Sequence, residues 1–177
     1  MKYLPTYVYT TIYEIDFTSL YAKGKRIILS DLDNTIASYS EKTPTKEMIK
    51  LNEYLRKLGF KIYLVSNNYD RRIKKFSEEF IIDGYLAKAK KPFTKKLEVF
   101  LKKENLKKEE IISIGDQLVT DIAGFNGLGV DTILVKTIDL KNQKWYTKIN
   151  RSREKMILKK IKKVDCIKYN QMKEFYE

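Results

Sequence analysis

Four short clusters in this sequence have the residue types and spacing to act on a phosphoester. They are Asp31-Leu-Asp33-Asn-Thr35, Ser66-Asn67-Asn68, Lys91-Pro92 and Gly115-Asp116 followed by Asp121. A carboxylate can attack phosphorus and carry the phosphoryl group as an aspartyl phosphate. A second carboxylate two residues on can protonate the leaving alkoxide and then activate water. Several carboxylates in one crevice repel one another unless a divalent cation joins them, and all-oxygen ligation suits Mg²⁺. A lysine ammonium and a serine hydroxyl would balance charge on the phosphoryl oxygens. Each cluster alone is weak: Asp-x-Asp is usually a turn, Ser-Asn-Asn an ordinary loop, and Lys-Pro is common.

Their placement strengthens them. Short apolar, β-branched runs at Ile27–Leu29, Ile62–Val65, Ile111–Ile114 and Thr132–Val135 read as strands buried on both faces. Amphipathic stretches alternate with them. One helix is expected after Thr43 as cap and Pro44 in the first turn. Met48, Leu51, Leu55 and Leu58 mark its inner stripe, and Gly59 stands just past its end. A second helix is expected from Asp70 with Ile73, Phe76 and Phe80 inward. A third runs from about Thr94 to Glu104, and a fourth from Gln117 to near Gly127. The alternation predicts an α/β, doubly wound, Rossmann-like parallel sheet with helices on both faces. Asp31, Ser66 and Asp116 then stand at the C-terminal ends of strands, where such sheets place their ligands.

The four clusters, in this order, resemble the motifs of the haloacid dehalogenase (HAD) superfamily of phosphatases. Asp31-Leu-Asp-Asn-Thr-Ile, Val65-Ser-Asn-Asn, Ala89-Lys-Lys-Pro and Gly115-Asp-Gln-Leu-Val-Thr-Asp121 resemble the YqeG-type branch of subclass IIIA over nearly the whole chain. That branch is similar to phosphatidylglycerophosphate phosphatases. The resemblance implies Asp31 as nucleophile and Asp33 as general acid/base. It implies that Thr35 holds the loop and, with Ser66, Asn67 and Lys91, belongs to the phosphate-binding set. Mg²⁺ would be held by Asp31, the main-chain carbonyl of Asp33, and Asp116. Asp121 would support the site, as a ligand through water or as a partner of Lys91. Lys91 is preferred to Lys88 and Lys90 because it directly precedes proline. The resemblance further implies a lipid phosphomonoester substrate, such as phosphatidylglycerophosphate.

Spacing adds an independent expectation. Only 30 residues separate Thr35 from Ser66, and 24 separate Ser66 from Lys91. Neither gap holds a cap domain, so the site should be open to a large or membrane-embedded substrate. Arg71, Arg72, Lys74, Lys75, Lys88, Lys90, Lys95 and Lys96 flank the expected mouth and should attract an anion.

Composition bounds the rest. The 177 residues suit one domain, 1–177, with an ample apolar fraction of 43%. No histidine is present, which removes Ser-His-Asp triads, phosphohistidine chemistry and His-ligated zinc. Cys166 is the single cysteine, and Met172 stands where a Cys-x5-Arg phosphatase would need arginine. Net charge is +13, of which +9 falls in residues 141–163. This basic helical segment, at about 141–164, spaces Trp145, Ile149, Met156, Ile157, Ile161 and Val164 as one helical face. It reads either as a helix docked on the sheet with a solvated lysine face, or as a surface for an anionic membrane or nucleic acid. No run suits a membrane span, and the first residues do not read as a secretory signal. The expected location is the cytoplasm, with peripheral contact at the inner face of the membrane.

Two other functions remain in view. One is a HAD phosphatase acting on a sugar phosphate, a polynucleotide end or a phosphoprotein. The other is a basic nucleic-acid-binding protein with an incidental HAD site, although no recognisable binding motif supports it. A signalling receiver domain is set aside. Its acidic pair and its phosphorylated aspartate lie on different strands, whereas Asp31 and Asp33 share one loop.

Overall fold

The computed structural model describes residues 1–140 and 145–176. Six strands form one parallel sheet in the order β1-β6-β5-β2-β3-β4. They are β1 (Tyr7–Tyr9), β2 (Ile27–Ser30), β3 (Lys61–Val65), β4 (Gly84–Leu86), β5 (Ile111–Gly115) and β6 (Asp131–Val135). The main helices are α1 (Phe17–Ala22), α2 (Lys46–Leu58), α3 (Asp70–Phe76), α4 (Lys95–Lys103), α5 (Ala123–Asn126), α6 (Trp145–Val164) and α7 (Cys166–Met172). A π-helical turn at Leu118–Ile122 leads into α5.

The expected buried runs are strands, and their period of two divides the core between the faces. Ile28, Ile62, Ile112 and Ile114 pack with Phe17, Leu55, Phe76 and Phe80 on one side. Ile27, Leu29, Ile111 and Tyr63 pack with Leu97, Phe100 and Phe125 on the other. Helices thus cover both faces, as expected for a doubly wound sheet. A smaller cluster joins Leu118, Ile122 and Leu134 to Leu158, Ile161 and Met172 of the C-terminal helices. Among the described residues, no helix is long and apolar enough to cross a membrane.

Two local expectations change. α2 is capped by Thr45, whose hydroxyl accepts from the Met48 N–H at 3.3 Å, not by Thr43. Both threonines flank Pro44 and have the same capping chemistry, so composition does not choose between them. Gly59 does end the helix, in the left-handed conformation at φ 96°. Phe80 is buried, but it lies beyond the end of α3 and packs on Phe76, the ring centroids 5.3 Å apart.

The largest change is the inner face of α6. Ile161 is buried and Ile157 is partly so, but Ile149, Met156 and Val164 are exposed. The face that docks carries Arg151, Glu154, Leu158 and Ile161, a spacing of three and four that makes one stripe. Polar partners just beyond β5 and in the π-helical turn, Asp116 and Val119, set this orientation, as described below. Lys141 and Lys144, and the side chains of Trp145 and Lys148, lie outside the described part of the structure.

Candidate active site

Strand register brings the clusters together. Ser30 at the end of β2 pairs with Leu64 of β3 and with Ile114 of β5. One step further along each strand places Asp31 next to Val65-Ser66 on one side and Gly115-Asp116 on the other. The Asp31 N–H donates to the Ile114 carbonyl at 2.9 Å and fixes this exit. The chain then turns tightly: the Ile36 and Ala37 N–H groups donate to the Leu32 carbonyl, and Asn34 takes φ 67°. The turn holds Asp33 beside Asp31 at the rim of a cleft of about 460 Å³. Ser66, Asn67, Lys91 and Asp121 also line that cleft.

Lys91 is the lysine that enters. Its Nζ lies 2.8 Å from Asp31 Oδ1, 2.7 Å from Asp121 Oδ1 and 2.6 Å from the Val65 carbonyl. Burial pulls the pKa of this ammonium down, but the carboxylates of Asp121 and Asp31 outweigh burial, and the net shift is upward. Lys91 therefore stays charged. Asp121 is its partner, and the other Asp121 oxygen accepts from the Gln117 N–H at 3.1 Å. Gly115 is required by this packing, since a Cβ there would stand 2.3 Å from the Cβ of Asp121.

Asp31 itself is held well above the usual carboxylate range. Burial is the main cause; Lys91 opposes it, and Asp121, Asp33 and Asp116 add to it. Asp116 is pushed up to about 6, first by burial, against the pull of Arg151. The Asp116 Oδ2 atom accepts from Thr137 at 2.7 Å and from Arg151 at 2.8 Å, while its Oδ1 is buried with no hydrogen-bond partner. Crowded carboxylates with an orphaned oxygen are a donor set that fits a hard divalent cation such as Mg²⁺. Among the described residues, no group of three His, Cys, Asp or Glu side chains closes a cage. Mg²⁺ usually takes one or two carboxylates and keeps water and substrate oxygens as its other ligands.

Other expected residues sit differently. Ser66 is buried in the cleft wall, where its hydroxyl accepts from the Asn68 N–H at 3.1 Å. The Asn67 amide is engaged on both sides with the main chain of Lys91: it accepts from the Lys91 N–H at 2.7 Å and donates to its carbonyl at 3.1 Å. It braces the lysine, and its amide keeps a second N–H at the exposed cleft wall. Thr35 is buried behind the loop with its hydroxyl unpartnered, and it borders a separate cavity with Ile36, Met48 and Thr137. It does not line the cleft.

Arg151 and Glu154 are not singled out by the sequence, and Arg72 is not expected there as a partner of Asp33. Arg72 Nε donates to Asp33 Oδ1 at 3.0 Å, and Asn68 donates to the other oxygen at 2.6 Å. The Asp33 carboxylate is thus oriented from both sides. Arg72 was counted only among the basic residues of the mouth. Of that group, Lys74 pairs with Asp70 at 2.9 Å and Lys88 stands over the Tyr69 ring, so neither reaches the aspartates.

Arg151 bridges Asp116 to Glu154, its Nη1 lying 3.2 Å from Glu154 Oε2. The other Glu154 oxygen accepts from the Val119 N–H at 3.0 Å. Glu154 is 0% exposed, and burial raises its pKa to about 7 although Arg151 and the Val119 N–H both pull it down. This pair turns α6 so that its charged stripe faces Asp116 and the π-helical turn after β5. Asn150 and Arg153 of the same helix line the cleft with Lys2 and Tyr3.

The family model described as haloacid dehalogenase-like hydrolase matches residues 2–129. The chain is 34% identical over 169 residues to the "Probable phosphatase YqeG" of Bacillus subtilis (strain 168), covering 96% of this chain and 97% of that one. Among solved structures, an uncharacterized protein from Listeria monocytogenes serotype 4b has TM-score 0.55 at 20% identity, over 67% of this chain and 85% of that chain. A haloacid dehalogenase-like hydrolase from Brucella suis 1330 has TM-score 0.54 at 10% identity, over 71% and 88%. These two likenesses bear on the fold.

Proposed function

From the premise that the chain belongs to the haloacid dehalogenase-like hydrolases and is an enzyme of the phosphatase type, we propose that it hydrolyses a lipid phosphomonoester, such as phosphatidylglycerophosphate, through an aspartyl phosphate. One observation carries the chemistry: Asp31, at the rim of an open cleft, is held 2.8 Å from a buried lysine that Asp121 and the Val65 carbonyl fix in place.

In the first step a carboxylate oxygen of Asp31 attacks phosphorus, and the bond from phosphorus to the leaving oxygen breaks. The Asp33 carboxyl, steadied by Arg72 and Asn68, gives its proton to that oxygen. In the second step the Asp33 carboxylate takes a proton from water, which attacks the same phosphorus. The phosphorus–Asp31 bond then breaks, releasing phosphate and regenerating Asp31. Lys91 and the Ser66 hydroxyl balance charge on the phosphoryl oxygens throughout. Mg²⁺, bound by Asp31, the Asp33 carbonyl and Asp116, would add charge neutralisation at the same oxygens.

An open mouth and a basic surround support the lipid substrate. Between Thr35 and Ser66 the chain builds only α2 and β3, and between Ser66 and Lys91 only α3 and β4, so neither span inserts a cap domain, and only Tyr39, Asn67 and Asn68 of them line the cleft. Arg153 and Lys2 stand at the mouth. On the outer ridge of α6, the exposed Ile149 and Met156 alternate with Arg153, Lys160 and Lys163. A ridge of that kind suits an anionic membrane interface, at about 1 kcal/mol per engaged basic side chain.

The test is a panel of phosphatidylglycerophosphate, sugar phosphates, phosphopeptides and polynucleotide ends, assayed with Mg²⁺ and with chelator. The lipid should be preferred, and Asp31→Asn should abolish turnover on every substrate because it removes the nucleophile and a metal ligand together. Near-normal turnover by Asp31→Asn would refute the covalent route. Preference for another substrate, with no sedimentation on anionic liposomes, would refute the lipid reading.

A further inference from the structure

A second concavity lies beside the catalytic cleft, and nothing in the chemistry above uses it. It is a groove of about 760 Å³ between edge strand β4 and helix α4. Leu86, Ala89 and Phe100 form an apolar floor, and Phe93 and Val99 stand over it, 74% and 64% exposed. Lys90, Lys95, Lys96 and Lys103 surround it, and no acidic side chain lines it. Lys103 at its rim lies 3.9 Å from Glu104, which does not line the groove. The volume is within the range of about 300–1,000 Å³ usual for small-molecule sites.

Phe93 belongs to both concavities, since it also lines the catalytic cleft. A molecule whose phosphate sits at Asp31 can therefore cross Phe93 and lay an apolar portion along α4. The lining selects for such a molecule. A sugar phosphate would gain nothing from Leu86, Val99 and Phe100, and a polynucleotide would use the lysines but leave those side chains wet. An apolar chain attached to an anionic head uses both, with the lysine stems lying along the chain and their ammonium groups in water.

We propose that this groove takes an acyl chain of an anionic lipid phosphate while its phosphoryl group occupies the cleft at Asp31. The proposal deepens the reading above and rests on it in one respect, that the substrate carries an apolar tail. The groove then sets chain-length preference. A fully buried methylene contributes about fourfold in affinity, so engagement of even a few gives a measurable slope.

The experiment measures hydrolysis of butyl, octyl and dodecyl phosphate, each below its micelle concentration and with Mg²⁺, by the wild-type protein, Val99→Asp and Lys95→Glu. In the wild type, kcat/KM should rise at least about tenfold from butyl to dodecyl, mainly through KM. Val99→Asp should flatten the series while leaving butyl phosphate turnover and Tm unchanged. Lys95→Glu should weaken the longer substrates by a smaller factor. A flat wild-type series, or a slope that neither variant alters, overturns the groove. Phosphatidylglycerophosphate separates the two ideas. If wild type and Val99→Asp hydrolyse it equally well, the lipid reading stands and the groove fails. If neither hydrolyses it but the alkyl slope depends on Val99, the groove stands and that lipid is not the substrate.

Discussion

Replacement of Arg151 by alanine should destabilise the protein by an amount that grows with pH. Arg151 joins two buried carboxylates, lying 2.8 Å from Asp116 and 3.2 Å from Glu154. Removing one partner of a buried ion pair costs about 3–5 kcal/mol, because the other charge is left without compensation. For a chain of this length, each kcal/mol lowers Tm by about 2–4 °C, so Arg151→Ala should melt about 6–20 °C below wild type. The pH dependence follows from Glu154, whose pKa stands at about 7 against an ordinary 4.5, with burial as the main cause. A carboxyl raised on folding binds its proton more tightly in the folded state, so stability is greatest below the unfolded value and falls as pH rises through the folded one. At 1.36 kcal/mol per pH unit, that rise corresponds to about 3 kcal/mol lost by wild type between roughly pH 4.5 and just above 7. Without Arg151 the folded pKa moves higher, and the loss continues to higher pH. Asp116 loses the same support and changes in the same direction. The gap in Tm should therefore widen from about pH 5 to about pH 9, measured by circular dichroism in chelator. A double variant, Arg151→Met with Glu154→Leu, should be less destabilised than Arg151→Ala at high pH, since α6 then buries no charge at these positions. A gap of less than about 2 °C throughout, or one that narrows as pH rises, would refute the argument.

Two further substitutions test the site. Asp33→Asn keeps the main-chain carbonyl but cannot transfer the proton, so turnover should fall about 10²–10⁴-fold while Mg²⁺ binding, followed by calorimetry, persists; strong loss of Mg²⁺ with little rate defect would contradict the role given to Asp33. Gly115→Ala places a Cβ 2.3 Å from that of Asp121, so Asp121 or the strand must shift, at about 1–3 kcal/mol for overpacking. Because Asp121 anchors Lys91, Tm and turnover should fall together, and wild-type values of both would show that the strand end adapts.

The strands at the centre of the sheet were legible because burial on both faces leaves an uninterrupted apolar run. β1 and β4 were not. Each has three residues, lies at a sheet edge and is only partly buried, so Tyr7-Val-Tyr9 and Gly84-Tyr-Leu86 carry no such signature. The candidate site aspartates were legible for a related reason: strand ends in a parallel sheet are fixed by register, so pairing of β2 with β5 brings Asp31 and Asp116 to the same end of the sheet. No comparable rule locates a cation. Arg72 reads as one more member of a basic stretch, and its engagement with Asp33 depends on how α3 lies against the loop. Arg151 did leave a trace. Glu154 is the single acid among ten basic residues in 141–163, and it follows Arg151 by three positions, the spacing of an intrahelical pair. A lone acid in a segment otherwise selected for positive charge has a specific neighbour, and here that neighbour also reaches Asp116. The segment therefore has two faces with different roles. Its inner stripe holds a site aspartate in place, and on the proposed lipid reading any attraction for an anionic surface would fall to Arg153, Lys160 and Lys163 on the outer ridge. If the lipid reading holds, neutralising those three should weaken sedimentation on anionic liposomes while leaving Tm, which reports the pair beneath them, unchanged; equal sedimentation would refute a role for the ridge.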